Sequence, residues 1–165
     1  FLRQGQKEEH IMDGMDIAFC TIDMVTGEVM FSGANNPLWI VSKRENIKDS
    51  SGNDLKLDVE ANGNYLYEIK ATKQPIGFSE NPKQFLNHKL KLEKGDMLYL
   101  FTDGFADQFG GPKGKKYKYK QLTEVILNSA NKTMAEQKRD LENSFEKWKG
   151  NLEQVDDVSI LGIRF

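Results

Sequence analysis

The chain has 165 residues, 38% of them hydrophobic and 29% charged, with a net charge of -2. That is enough for one domain with a real core and too ordered a composition for a disordered segment. The charge balance argues against nucleic acid as a partner, and no apolar run reaches the length of a membrane span.

The single cysteine, Cys20, lies in the apolar run Ile17-Ala18-Phe19-Cys20 and reads as a structural thiol. With no disulfide available and no secretory signal pattern, the expected setting is reducing and cytoplasmic. Phe1 opens the chain in helix-like text (FLRQGQKEEH), so the sequence reads as a single domain over 1–165 that is truncated at its N-terminus.

Met15 to Asp23 has an apolar centre and predicts a strand. Val25-Thr26-Gly27 turns it into a second strand at Glu28 to Ser32. After Gly33-Ala34-Asn35-Asn36-Pro37, the run Leu38-Trp39-Ile40-Val41 predicts a third, and short turns make the three an antiparallel meander. Lys43 to Asn64 is polar and reads as a loop excursion with a short strand near Leu55 to Val59.

Tyr65 to Ala71 and Gln84 to Leu92 alternate as strands, the latter with Phe85, Leu90 and Leu92 inward. Gly95-Asp96 leads into Met97 to Phe101, an unbroken apolar run suited to a central strand. Leu122, Val125, Ile126 and Ala130 have helical spacing. A second helix opens on a Thr133/Glu136 capping box, buries Leu141, Phe145 and Trp148, and stops at Gly150. Val158 to Ile163 returns as a strand. The class is α+β, with mostly antiparallel strands and two consecutive helices before the last one.

Two acidic positions stand at strand ends. Asp103 follows the apolar run and precedes Gly104, which permits a sharp turn. Asp156 and Asp157 precede the last strand. Each alone reads first as turn chemistry. Together, two acidic strand ends separated by a helical pair could meet at one edge of a sheet, where a cation would relieve their repulsion. An all-oxygen set favours Mg²⁺ or Mn²⁺ over zinc.

The segment Asp107 to Lys120 is basic and contains glycines. It reads either as a solvated loop or as a flap whose Lys113, Lys115 and Lys116 attract an anionic substrate. Lys73 invites the same thought on thinner grounds. His10 and His88 suggest surface or strand-face positions rather than catalysis, and Trp39 and Trp148 suggest core.

The segments DIAFCTIDMVTGEVMFSGANNPLWIV, KQPIGF, LEKGDMLYLFTDGFADQFGG and VDDVSILGIRF, in that order, resemble the PPM-type, protein phosphatase 2C-like enzymes of the bacterial SpoIIE/RsbU branch. The resemblance runs from about Gly14 to the C-terminus. It implies part of a four-layer α/β/β/α sandwich with a binuclear Mn²⁺ or Mg²⁺ site at one end of the sheets. Carried over by motif, Asp103 and Asp156 become metal ligands, with Gly104 and Asp157 beside them.

The implied reaction is metal-assisted hydrolysis of phosphoserine or phosphothreonine, with no protein nucleophile. The implied partners are a phosphorylated, anti-anti-sigma-like regulator and an upstream sensor domain. The family also uses upstream aspartates that this sequence does not contain, and Asp13, Asp16 and Asp23 do not match their motifs. The isolated chain is therefore expected to be weakly active or inactive, and exposed sheet edges lead to an expectation of homodimers. A non-catalytic signalling module of the same fold, and a generic α+β domain whose acidic turns are only turns, are the competing readings.

Overall fold

A computed structural model of the chain describes residues 14–77 and 81–165. His10 and Asp13 lie outside the described residues. The elements run in chain order: β1 (Gly14–Met15), β2 (Ile17–Ile22), β3 (Glu28–Ala34), β4 (Leu38–Ser42), β5 (Leu57–Ala61), β6 (Asn64–Ile69), β7 (Ile76–Gly77), β8 (His88–Lys91) and β9 (Met97–Phe101). Then come α1 (Gly104–Asp107), β10 (Phe109–Gly110), β11 (Lys115–Lys116), α2 (Tyr119–Ser129), α3 (Met134–Lys149) and β12 (Ile160–Arg164). The class is α+β with antiparallel sheets and two consecutive helices before the last strand, as the periodicities predict.

Two sheets dominate. One has five strands in the order β12-β9-β4-β6-β5, the other three in the order β2-β3-β8. Strand β4 is buried along its whole length and alternates between two cores. Leu38 and Ile40 face the space between the sheets with Phe31, Tyr67, Leu90 and Leu98, whereas Trp39 and Val41 face α2 and α3 with Tyr99, Leu122, Ile126 and Phe145. A strand packed on both faces needs apolar residues at every position, which is why its text shows no alternation. The described layers are thus helices, five-stranded sheet and three-stranded sheet.

The expected three-strand meander is corrected here. β2 and β3 form the predicted hairpin, from Ile17↔Ala34 to Ile22↔Val29, but β4 belongs to the other sheet. The chain changes sheets at Asn35, whose φ of 60° turns the backbone through the left-handed region. The corner is held by Asn35 N–H donating to the Thr72 carbonyl at 3.0 Å and Thr72 N–H to the Gly33 carbonyl at 2.9 Å. A second change is smaller: the first predicted strand breaks at Asp16 into β1, which pairs with β7, and β2.

Helix α3 starts on the predicted capping box. Thr133 Oγ1 accepts from the Glu136 N–H at 3.3 Å, and the Glu136 carboxylate accepts from the Thr133 N–H at 2.9 Å. No helix among the described residues is long and apolar enough to cross a membrane.

Candidate metal and phosphoryl-transfer site

Strands β9 and β12 are neighbours, paired from Phe101↔Ile160 to Met97↔Arg164. Their partnership continues past the last paired residue. Thr102 N–H donates to the Ser159 carbonyl at 3.0 Å, Ser159 N–H donates to Thr102 Oγ1 at 3.0 Å, and Thr102 Oγ1 donates to the Asp157 carbonyl at 2.8 Å. Thr102 therefore laces the turn bearing Asp103 to the loop bearing Asp156 and Asp157. Residues more than fifty positions apart in the chain are held side by side by one threonine.

Gly104 explains itself in the same place. A Cβ built there would lie 2.5 Å from the Asp157 carbonyl oxygen, so the two segments approach too closely for any side chain. Asp103 precedes α1 as its N-cap residue but makes no side-chain capping bond. Its carboxylate is exposed and accepts no hydrogen bond among the described residues. Asp156 is also exposed; its Oδ1 accepts from the Asp157 N–H at 2.7 Å.

An aromatic floor lies under this end of the five-stranded sheet. The Trp39 ring meets Phe101 edge-on at 4.5 Å, and Tyr119 stands 6.0 Å from Trp39 and 5.9 Å from Phe101. Burial pushes the Tyr119 phenol up to about 12, and the negative charges of Asp103, Asp107 and Glu68 push in the same direction. Glu68, on β6, also accepts from Trp39 Nε1 at 3.1 Å. Carboxylates from β6, from the turn after β9 and from α1 thus collect at one end of the sheet. Asp107 is offset by Lys116 Nζ at 2.8 Å.

The donors suit a hard cation in kind, since all are carboxylate oxygens. They do not suffice in number: among the described residues no group of three or more His, Cys, Asp or Glu side chains is placed to hold a metal. Asp16 and Asp23 do not fill the gap, because each is committed elsewhere. Asp16 accepts from Asn35 Nδ2 at 2.7 Å. Asp23 accepts from the Val25 and Thr26 amides at 2.8 and 3.1 Å, which hold its carboxyl below the usual range.

The lysine segment is a hairpin, β10 paired with β11, that sequence periodicity does not reveal. Its base is clamped. Tyr117 is 2% exposed and packs edge-on against Phe105 and Trp148, and a Cβ on Gly110 would lie 1.9 Å from the Trp148 carbonyl. Lys113 and Lys115 are exposed near the tip, whereas Lys116 is exposed but paired with Asp107.

Cys20 is half-buried, its thiol pushed up to about 11 by burial, so it is a poor nucleophile. His88 is in β8, its ring 6.1 Å from Phe31. A cavity of about 850 Å³ lies between α3 and β12, lined by Tyr99, Phe105, Met134, Leu141, Phe145 and Ile160 among others, and neither Asp103 nor Asp156 reaches it.

The family model described as Stage II sporulation protein E (SpoIIE) matches residues 3–165. The chain belongs to this family. Its fold is that of PP2C-type phosphatase domains. The SiaA-PP2C domain of Pseudomonas aeruginosa superimposes with a TM-score of 0.72 at 24% identity, over 91% of this chain and 51% of that one. The Mn-presoaked phosphatase domain of the cell-fate determinant SpoIIE from Bacillus subtilis gives 0.57 at 16% identity, over 90% and 55%. The chain spans about half the length of these solved relatives. No curated protein matches it.

Thr102 and Glu68 are the site-end residues that sequence reasoning missed. Thr102 sits inside the FTDGF text and could have been found there, because a hydroxyl at a strand end is free to lace two loops. Nothing local marks Glu68, which arrives through the pairing of β6 with β4.

Proposed function

We propose that this chain is part of a metal-dependent phosphatase that hydrolyses phosphoserine or phosphothreonine on a signalling protein. In this reading Asp103 and Asp156 each bind Mn²⁺ or Mg²⁺, with Asp157 and Gly104 shaping the backbone beside them. The observation that carries it is the Thr102 lacing, which sets the two acidic segments next to each other in a chain of the SpoIIE family.

A bound divalent pair would supply an activated water and positive charge for the phosphoryl oxygens. The chain's own part is to fix two carboxylates on a rigid sheet end and to present lysines nearby. Lys113 and Lys115, exposed and without an ion pair among the described residues, draw an anionic, phosphorylated partner toward that end, and Lys116 adds charge although Asp107 offsets it. We infer that such a partner is an anti-anti-sigma-like regulator in the cytoplasm and that a sensor domain lies upstream of this chain.

The described helices and two sheets make three layers. A fourth, helical layer completing an α/β/β/α sandwich would cover the outer face of the three-stranded sheet, where Phe19 is 61% and Met30 51% exposed. A chain carrying that face and the open edge of β12 is expected to associate into homodimers.

A second reading is a non-catalytic signalling module of the same fold. The shortage of metal donors among the described residues favours it. Mn²⁺ titration followed by electron paramagnetic resonance separates the two. Metal ligation requires that Asp103→Asn and Asp156→Asn each weaken Mn²⁺ binding by about tenfold or more while the fold stays intact. Equal affinity in wild type and both variants would defeat the metal reading. With p-nitrophenyl phosphate and Mn²⁺, the chain alone is expected to turn over weakly or not at all.

A further inference from the structure

We propose that Gln108 is a positioning residue whose carboxamide holds the Asp156-bearing loop against the base of the lysine hairpin. This rests on the reading that Asp156 is a metal ligand and that the hairpin receives the phosphorylated partner.

Gln108 ends α1 and is wholly buried, 0% exposed, a rare place for a glutamine. Both polar atoms of its carboxamide are hydrogen-bonded. Nε2 donates to the Glu153 carbonyl at 2.9 Å and to the Phe109 carbonyl at 3.0 Å, and Oε1 accepts from the Val155 N–H at 3.4 Å. Its main-chain carbonyl accepts from Trp148 Nε1 at 3.1 Å and from the Tyr117 N–H at 2.9 Å. One residue thus joins β10, the strand end after β11, the last turn of α3 and the loop leading to Asp156.

That loop has little else to hold it. Residues 151–157 are exposed and carry no helix or strand. Apart from the Thr102 bond to the Asp157 carbonyl, their other hydrogen bonds among the described residues are short-range: Leu152 N–H to the Lys149 carbonyl at 3.1 Å, Gln154 Nε2 to the Asp156 carbonyl at 2.8 Å, and the Asp157 N–H to Asp156 Oδ1 at 2.7 Å. Between the end of α3 and the Thr102 lacing, the long-range hydrogen bonds among the described residues come from Gln108. A buried amide is costly to leave unpaired. Displacing the hairpin base therefore disturbs the loop, and displacing the loop disturbs the hairpin. A residue serving only as core filling would need no carboxamide, so the bonding pattern distinguishes positioning from packing.

The test uses the 165-residue chain with Gln108→Met, which keeps the volume and removes the polar atoms, and Gln108→Glu, which keeps an acceptor for Val155 and removes the donor. In metal-free protein, amide hydrogen exchange at Val155 to Asp157 and at Gly110 to Tyr117 is expected to speed up together, by about tenfold or more in Gln108→Met. Amides in α2 and the centre of β9 should keep their rates. In Mn²⁺ titrations of the same proteins, affinity is expected to fall by about tenfold, the scale found when groups supporting metal ligands are removed.

Unchanged exchange in the 153–157 loop overturns the proposal, as does loosening confined to the hairpin. Global unfolding of both variants also overturns it, because Gln108 would then be a core residue. If wild type binds no Mn²⁺, the functional reading fails while the exchange data still decide what Gln108 does.

Discussion

The Thr102 hydroxyl donates to the Asp157 carbonyl at 2.8 Å, and its oxygen accepts the Ser159 N–H at 3.0 Å. Thr102→Val removes both bonds at nearly constant volume. At about 0.5–1.5 kcal/mol per bond, stability should fall by about 1–3 kcal/mol. Thr102→Ser retains the oxygen and should stay close to wild type. Urea unfolding of the three proteins measures the difference, and equal midpoints for Val and wild type would show that the lacing holds nothing.

Gly104 lies close to the same carbonyl. Because a Cβ would stand 2.5 Å from the Asp157 oxygen, Gly104→Ala forces the backbones apart. Overpacking of this kind costs about 1–3 kcal/mol. Backbone amide shifts should concentrate at Asp156 to Ser159 rather than spread along α1. A variant as stable as wild type, with unmoved shifts, would contradict the close approach.

The start of α3 offers a pH-dependent test. The Thr133 hydroxyl and amide bind the Glu136 carboxylate and lower its pKa. A carboxyl whose folded pKa lies below its unfolded one adds stability above the unfolded value. That contribution disappears as pH falls through the folded value. Thr133→Ala should bring Glu136 back toward the ordinary glutamate range in an NMR titration, and the loss of the N-cap itself costs about 1 kcal/mol near neutral pH. A Glu136 titration that does not move would rule the capping box out as its cause.

Lys113→Glu with Lys115→Glu reverses two exposed charges without touching the buried hairpin base. The thermal midpoint should stay near that of wild type. Association with a phosphorylated partner protein should slow by about tenfold at low salt, with the gap closing as ionic strength rises. Equal association rates at low salt would remove the hairpin tip from the docking surface.

Local pattern carried much of this fold into view. The apolar run of β9, the Gly27 turn, the capping box at Thr133 and the Gly150 stop are all decided within a few residues, and each stands where its text places it. Sheet membership is different. β4 reads as a third meander strand because its neighbours in sequence are strands, yet its hydrogen bonds go to β6 and β9. Which strand pairs with which depends on contacts distant in sequence, so no local rule separates the two outcomes.

The site divides along the same line. Asp103 and Asp156 are visible in the text as acids at strand ends, and the metal-ligand role proposed for them comes from ordered resemblance. Thr102, Glu68 and Gln108 have roles created by what lies across from them, and their own neighbours in the chain give no notice of it. The β10–β11 hairpin has no sequence signature, because two-residue strands in glycine- and lysine-rich text leave no period to detect.

The register of β9 against β12 has one more implication. The separation of the two acidic turns is fixed by the spacing of adjacent strands, not by the 52 residues between Asp103 and Asp156. The hairpin tip at Gly114 has open space around it. Length can therefore be added at that tip, or a tag inserted there, without altering how far apart the two carboxylate-bearing turns stand. Changes confined to the exposed tip leave the hairpin base, and with it the sheet end, where they are.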